Sequence, residues 1–423
     1  MLKEKALHYH KFPKPGKIDI VPTKECLTQN DLSLAYTPGV AEPCREIEKT
    51  PSLAYDYTGK GNLVGVITDG TAVLGLGDIG PLAGKPVMEG KALLFKRFAD
   101  INSYDIEVAE TNPAEFIKIV KSLEPTFGGI NLEDIASPKC FEIEEKLKEI
   151  MDIPVFHDDQ HGTAVIGVAA ILNGLEVAGK KPENCKVVLT GPGAAGVAIA
   201  KHMVNCGFKE ENIFAYDSKG VLYKGRKETK SPYHAFLFRE TEKRTLLELF
   251  EGADVFIGTS IKGMVTEEMI MKMAPNPVIL PMANPDPEIP YEVIVKARPD
   301  AMAGTGRSDY PNQVNNVLGF PAIFRGALDV RARKITEKMK MAATFALMRV
   351  AKMDVLKSVL DVYGLKELSF GKDYLIPKPF DPRVLVEVAA SVAEMAMEEG
   401  MSRIDIDIAK YKKELSEKFV KNE

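Results

Sequence analysis

Two pairs of adjacent carboxylates, followed along the chain by a glycine fingerprint, point to metal-assisted redox chemistry. Glu133 and Asp134 lie in GGINLEDI, and Asp158 and Asp159 lie in PVFHDDQHGT. Each pair closes an apolar, strand-like run. Three carboxylate oxygens, completed by water or substrate oxygens, suit Mg²⁺ or Mn²⁺, hard cations that prefer octahedral oxygen ligation. Successive strand residues point to opposite faces, so Glu133 and Asp134 ligate one ion together only where the strand gives way to a turn. The same constraint at 158–159 predicts divided roles, with one carboxylate on metal and the other on a basic side chain. Either pair alone also reads as a helix N-cap or a solvated turn. His157 and His161 flank the second pair, but no matched Cys/His set accompanies them for zinc.

Gly191, Gly193, Ala194, Ala195 and Gly196 belong to GPGAAG, a match to G-x-G-x-x-G. The run follows strand-like KVVLT and opens an Ala/Val/Ile-rich helix, the context that makes such a match a dinucleotide site. The first glycine permits the tight turn, the second lets backbone approach a pyrophosphate, and the third allows close helix packing. Amides at the helix start then face the phosphates. Asp217 ends NIFAYD, where a carboxylate accepts from a ribose diol and favours NAD. Lys219 would instead attract the 2′-phosphate of NADP. Asn284, in MANPDPE at another strand end, is placed to contact nicotinamide or substrate, or simply to initiate a turn.

Tyr36 stands before a Thr-Pro-Gly turn in LAYTPGVAEPC, and Lys91 follows the glycine-rich GLGDIGPLAGKPVMEG among apolar helix neighbours. Burial lowers a lysine pKa and so makes a base. A snorkelling lysine and a packed tyrosine are the plainer readings.

The elements that must position these residues alternate. Residues 63–68, 106–110, 129–135 and 154–158 read as strands, and 87–99, 114–123 and 140–151 as amphipathic helices. A mostly apolar helix is predicted over 161–179. A second alternation follows, with strands at 186–190, 212–217, 254–260 and 277–284, then wholly helical sequence after Phe320, with long segments at 335–362 and 382–400. Short apolar strands between amphipathic helices predict parallel βαβ units. The expected fold is α/β, with an N-terminal α/β domain over 1–158. A doubly wound, Rossmann-like domain with a helical C-terminal tail is expected over 159–423. The tail is expected to cover the second domain or return to the first. KGRKETK, 224–230, reads as a solvated loop.

Composition supports a soluble globular protein: of 423 residues, 45% are hydrophobic and 27% charged. The net charge of −5 argues against a general nucleic-acid binder. The N-terminus has no apolar signal-peptide core, and the longest apolar stretch, 163–172, is too short to span a bilayer. Five scattered cysteines fit a reducing cytoplasm.

The chain resembles the malic enzymes, most closely the compact bacterial and archaeal type. YTPGVA, GLGDIG with the EGKALLF lysine, LED, FHDDQHGTA and GPGAAG follow one another here in the order found in that family. The resemblance runs from about residue 15 to about residue 400 and implies NAD(P)-dependent oxidative decarboxylation of L-malate to pyruvate and CO₂. By it, Tyr36 is the general acid, Lys91 the general base, and Asp158 a member of the proton network beside Lys91. Glu133, Asp134 and Asp159 ligate Mg²⁺ or Mn²⁺. Asn284 and Asn315 contact substrate or nicotinamide, and the assembly is a homodimer. One departure stands out. Large eukaryotic members bind a malate carboxylate with an arginine where this chain has Val73, leaving Thr71 and the glycine-loop amides as candidates beside Lys91. Two other readings are a metal-dependent 2-hydroxy-acid or amino-acid dehydrogenase without decarboxylation, and a nucleotide sensor without turnover.

Overall fold

The protein's structure, a computed structural model, describes residues 2–227 and 231–420; the last three residues of the predicted 224–230 loop lie outside the described residues. Four strands form the first sheet: β1 (Leu63–Thr68), β2 (Asn102–Glu107), β3 (Gly129–Leu132) and β4 (Val155–His157), in the order β2-β1-β3-β4. All pair in parallel. β3 is buried along its whole length, as a parallel strand covered on both faces must be, which is why it reads as an uninterrupted apolar run. β2 lies at the sheet edge, and its N-terminal half alternates between exposed and buried residues. That polar half hides it from a search for apolar runs, so it begins four residues before the predicted 106–110.

The second sheet contains β5 (Val187–Thr190), β6 (Ile213–Asp217), β7 (Gly220–Val221), β8 (Val255–Gly258), β9 (Val278–Pro281) and β10 (Met302–Ala303). Its order is β10-β9-β8-β5-β6-β7, parallel except for the β6–β7 hairpin. β5 pairs with β6 on one side and β8 on the other. The chain therefore reverses its direction of winding at β5, and in doubly wound sheets ligands bind in the crevice at such a point.

One continuous buried cluster runs through both units, and a smaller one packs on the other face of the second sheet. The helix Thr163–Val177, buried from Ala164 to Leu175, lies within the shared cluster. The tail returns to the first unit as well as covering the second. Phe320 and Phe324, on helix Phe320–Asp329, meet Phe95 edge-on at 4.7 and 5.2 Å, a favoured aromatic arrangement. The tail is less uniformly helical than predicted: Glu337–Ala351, Lys357–Tyr363, Arg383–Glu398 and Ile408–Phe419 are separate helices, and residues 365–382 are irregular.

The N-terminal arm differs from both units. Its helices Leu2–Lys11, Gln29–Ala35 and Ala41–Lys49 bury no residue. They are not singled out in the sequence, although Ala41, Cys44 and Ile47 recur at helical spacing in the third.

Candidate active site

The register of the first sheet brings the two acidic pairs together. Leu132 of β3 pairs with His157 of β4, so Glu133 and Asp158, the next residues, leave the sheet side by side. Asp134 then takes a left-handed backbone conformation, φ +54°, one that Asp tolerates better than most residues. This is the turn that lets two neighbouring carboxylates face one point. Beyond β4 the chain forms a π-helical turn, Asp158–Gly162, before the Thr163 helix begins. Such turns are rare and recur at functional sites.

Glu133, Asp134 and Asp159 each offer an oxygen within 4.8 Å of the others. The Asp134 amide donates to Asp159 Oδ2 at 2.8 Å, tying the two strand ends together. Burial pushes the Glu133 carboxyl well above the usual range; Lys91 opposes the shift, and Asp159, Asp158 and Asp134 reinforce it. Three oxygen donors with surplus negative charge are what a hard divalent cation needs. The donor set therefore fits Mg²⁺ or Mn²⁺. The histidines do not join it. His157 is buried, with Nδ1 3.8 Å from Asp159 Oδ2, and His161 turns away to Glu144.

The structure divides the Asp158–Asp159 pair as the strand geometry requires. Lys91, on helix Pro81–Ala99, donates to Asp158 Oδ2 at 2.6 Å and lies 3.0 Å from Glu133 Oε1. Its ammonium also sits 4.4 Å from the centre of the Phe320 ring. Burial works against its charge, but Asp158 and Glu133 outweigh burial and push the pKa up. The expectation that burial would lower it left out the carboxylates. Asn316 donates to the same Asp158 oxygen at 3.0 Å and accepts from Thr163 at 3.1 Å. Asn315, the residue singled out in the sequence, lines the cleft beside it, and its side-chain oxygen accepts from the Val317 amide.

The cleft above these groups measures about 790 Å³. Lys91, Glu133 and Asp134 line it from the first unit, Asp159 from the turn that follows β4, and Ala195, Thr259, Ser260, Asn284 and Asn315 from the second unit. At the fingerprint, a Cβ on Gly191 would lie 2.3 Å from the Thr259 carbonyl oxygen, and φ there is +76°. Gly196 would meet the Gly191 carbonyl at 2.5 Å. Gly193 precedes helix Ala194–Asn205, and a Cβ there would meet no atom within 4 Å. That open approach to a helix start fits a dinucleotide pyrophosphate. Gly191, Gly193 and Asp217 also line a second hollow, on the far side of Thr259 and Ser260. Asp217 is 6% exposed, and Arg226 Nη2 donates to both of its carboxylate oxygens, at 2.8 and 2.9 Å. Arg226 is thus a buried partner within the supposed solvated loop, while Lys224 and Lys227 are exposed.

Tyr36 stands apart. It caps the helix Gln29–Ala35, is 69% exposed, and is not among the residues lining the cleft. Val73 is fully buried. The Thr71 hydroxyl is committed, donating to Asp69 at 2.6 Å and accepting from the Ala136 amide at 3.0 Å. The cations that line the cleft besides Lys91 are Lys17 and Arg307. Sequence reasoning assigns no role to Lys17, Arg307 or Arg226, which sit in no pattern that marks a site; Thr163, although inside FHDDQHGTA, is given none, and Asn315 is chosen over its neighbour Asn316.

Comparison with known proteins bears on the family and the fold. The family model described as malic enzyme, N-terminal domain, matches residues 15–114 and 107–148, and that described as malic enzyme, NAD binding domain, matches 160–369. The NADP-dependent malic enzyme of Escherichia coli is 57% identical over 405 residues, covering 95% of this chain and 53% of that protein. The chain thus spans about half the length of some of the curated relatives it matches. The NADP-dependent malic enzyme of Halomonas elongata is 54% identical, with 95% of each chain covered. The crystal structure of malic enzyme from Pyrococcus horikoshii superimposes with a TM-score of 0.90 at 45% identity, over 99% of this chain and 95% of that one. With both family models matched in sequence order and one fold shared nearly end to end, the chain belongs to the malic enzyme family.

Proposed function

We propose that the protein oxidatively decarboxylates L-malate to pyruvate and CO₂, reducing NAD⁺ or NADP⁺, with Mg²⁺ or Mn²⁺ required. The observation that carries this reading is the junction at Lys91. One ammonium touches both Asp158 and Glu133, beside the three-carboxylate cluster, in a cleft that also reaches the coenzyme-fingerprint helix. Glu133, Asp134 and Asp159 would hold the ion and the GPGAAG turn the coenzyme; when bound, these supply a polarising charge and a hydride acceptor. We assign the substrate unit to residues 1–158 and the coenzyme unit to 159–423.

In this reading Lys91 Nζ takes the C2 hydroxyl proton as the C2–H bond breaks. Asp158, foremost among the carboxylates that hold Lys91 charged, is not a proposed metal ligand, but Glu133 and Asp159 are, so an ion held there would offset part of the charge that raises the Lys91 pKa. Asp158 and Asn316 aim the amine, and Asn284 and Asn315 face the substrate or nicotinamide. After C4 leaves as CO₂, Tyr36 delivers a proton to C3. We further propose a homodimer in which Tyr36 completes the site of a second copy. The exposed N-terminal arm supports this: Leu2, Leu7, Phe12, Ile20, Val21, Leu27 and Leu34, on the same arm as Tyr36, are open to water, and exposed apolar side chains of this kind suit an interface. We also propose a cytoplasmic location, the compartment in which scattered unpaired cysteines are usual.

The test is malate oxidation followed at 340 nm with each coenzyme, with CO₂ collected. One CO₂ per reduced coenzyme and loss of turnover in EDTA are expected. Reduced coenzyme without CO₂ would point instead to a simple hydroxy-acid dehydrogenase.

A further inference from the structure

The π-helical turn Asp158–Gly162 has a second face. Behind the cleft, Gln160 and His161 line a separate cavity of about 550 Å³ between helix Lys139–Ile150, the fingerprint helix Ala194–Asn205 and the tail helix Glu337–Ala351. Both ring nitrogens of His161 are engaged. Lys340 Nζ donates to Nδ1 at 3.0 Å. The ring proton therefore sits on Nε2, which donates to Glu144 Oε1 at 2.7 Å. Lys148 lies 2.5 Å from the same Glu144 oxygen, and Glu337 accepts from Lys340 at 2.5 Å. Glu144 and Lys340 are 4% and 2% exposed.

This array joins three parts of the chain. Glu144 belongs to the first unit and His161 to the turn. Lys340 belongs to a tail helix that is bonded to the fingerprint helix through Thr344 and His202, at 2.7 Å. The turn between them carries Asp158, which holds Lys91, and Asp159, which faces the carboxylate cluster. It is tightly folded: a Cβ on Gly162 would lie 1.9 Å from Asp158 Oδ1. Burying several charges is costly, and well-packed apolar residues would hold the helices together as well or better. What apolar packing does not supply is a fixed direction for two carboxylates one residue apart. Groups behind a metal's ligands commonly supply that orientation.

We propose that Glu144, His161 and Lys340 form a positioning relay that sets the direction of Asp158 and Asp159 from behind. The relay rests on the metal reading above and adds residues outside the cleft to it. It acts through the ligands and touches no reacting atom.

The test is Mn²⁺ titration of the full chain without substrate, free ion read by electron paramagnetic resonance, alongside thermal unfolding. His161→Leu removes both ring contacts, whereas His161→Gln keeps one acceptor for Lys340 and one donor for Glu144. His161→Leu and Lys340→Met are expected to weaken Mn²⁺ binding about 10–100-fold, and His161→Gln to stay within about threefold of wild type. If His161→Leu does not fold, Lys340→Met carries the comparison. Wild-type affinity in a folded His161→Leu or Lys340→Met variant overturns the relay. So does a folded His161→Gln variant as weak as His161→Leu. A wild-type protein that takes up no Mn²⁺ overturns the metal reading, and the relay with it.

Discussion

Lys91 and Tyr36, the two groups assigned to move protons, sit in opposite kinds of place. Lys91 is nearly buried, gripped by Asp158 and Glu133 and seated on the Phe320 ring. Tyr36 is mostly exposed, at the end of a short helix with no buried residue. The base half of the site is assembled within one folded chain, because strand register and helix packing fix it. The acid half is held by an arm that has spent almost none of its apolar surface. A group that must meet a substrate at one defined atom needs comparable constraint; in the proposed dimer, that constraint on Tyr36 would come from the second copy.

The contrast breaks first at the level of rate. Lys91→Ala is expected to lower kcat by about 10²–10⁴-fold while leaving the fold intact, since the helix that carries it is held by Phe95, Met88 and Ala92 in the core. Tyr36→Phe is expected to cost at least about 10²-fold, although it removes one exposed oxygen. A wild-type rate for Tyr36→Phe would falsify its role as the acid. Mixing the two inactive variants sharpens the comparison. If each site draws Lys91 from one copy and Tyr36 from its partner, random dimers should recover roughly a quarter of wild-type activity. If both residues act within one chain, each mixed dimer carries only sites with one defect, and no recovery follows.

Metal binding separates the two residues in another way. Asp159→Ala removes one of three oxygen donors, and its effect should be read as Mn²⁺ affinity by titration rather than as rate. Weakening of about 10-fold or more is expected. Tyr36→Phe should leave that affinity unchanged. An Asp159→Ala variant that binds Mn²⁺ like wild type would remove Asp159 from the ligand set.

How much of this could be read from the sequence follows the same division. The acidic pairs were legible because each ends an apolar strand, and the turn they require is met at Asp134 with φ +54°. The glycine fingerprint was legible because its spacing is local. The contacts made across the chain were not. Asn316 reaches Asp158 through a separation of 158 residues, while Asn315, its equal in composition, turns to its own backbone. Arg226 was hidden inside a charged run, since composition does not tell which of several cations folds inward onto Asp217. Lys91 shows the same limit in its chemistry. Burial was readable from its apolar neighbours, but the carboxylates that reverse the effect of burial come from strand ends 42 and 67 residues away. The N-terminal helices are short and bury no residue, and their sequences were not singled out as helical.

The smallest expected effect concerns Lys17, which shares the arm with Tyr36 yet lines the cleft with Lys91. Malate carries two carboxylates, and Val73, where large family members have arginine, is buried and apolar. Lys17 Nζ donates to the Pro86 carbonyl at 2.7 Å, leaving two donors for an anion. Arg307 is the rival: its guanidinium forks onto Asp309 at 2.9 and 2.6 Å, leaving one edge open. A charge-assisted hydrogen bond to substrate contributes about 1.5–3 kcal/mol. Loss of the right one should therefore raise the KM for malate about 10-fold or more, with kcat little changed. A rise with Lys17→Ala and none with Arg307→Ala would mean that the arm already helps to bind substrate within its own chain, and that only its Tyr36 end is handed to a partner. The reverse result would leave the whole arm outside the site of its own chain, and the contrast between Lys91 and Tyr36 would become one between the body of the chain and its arm.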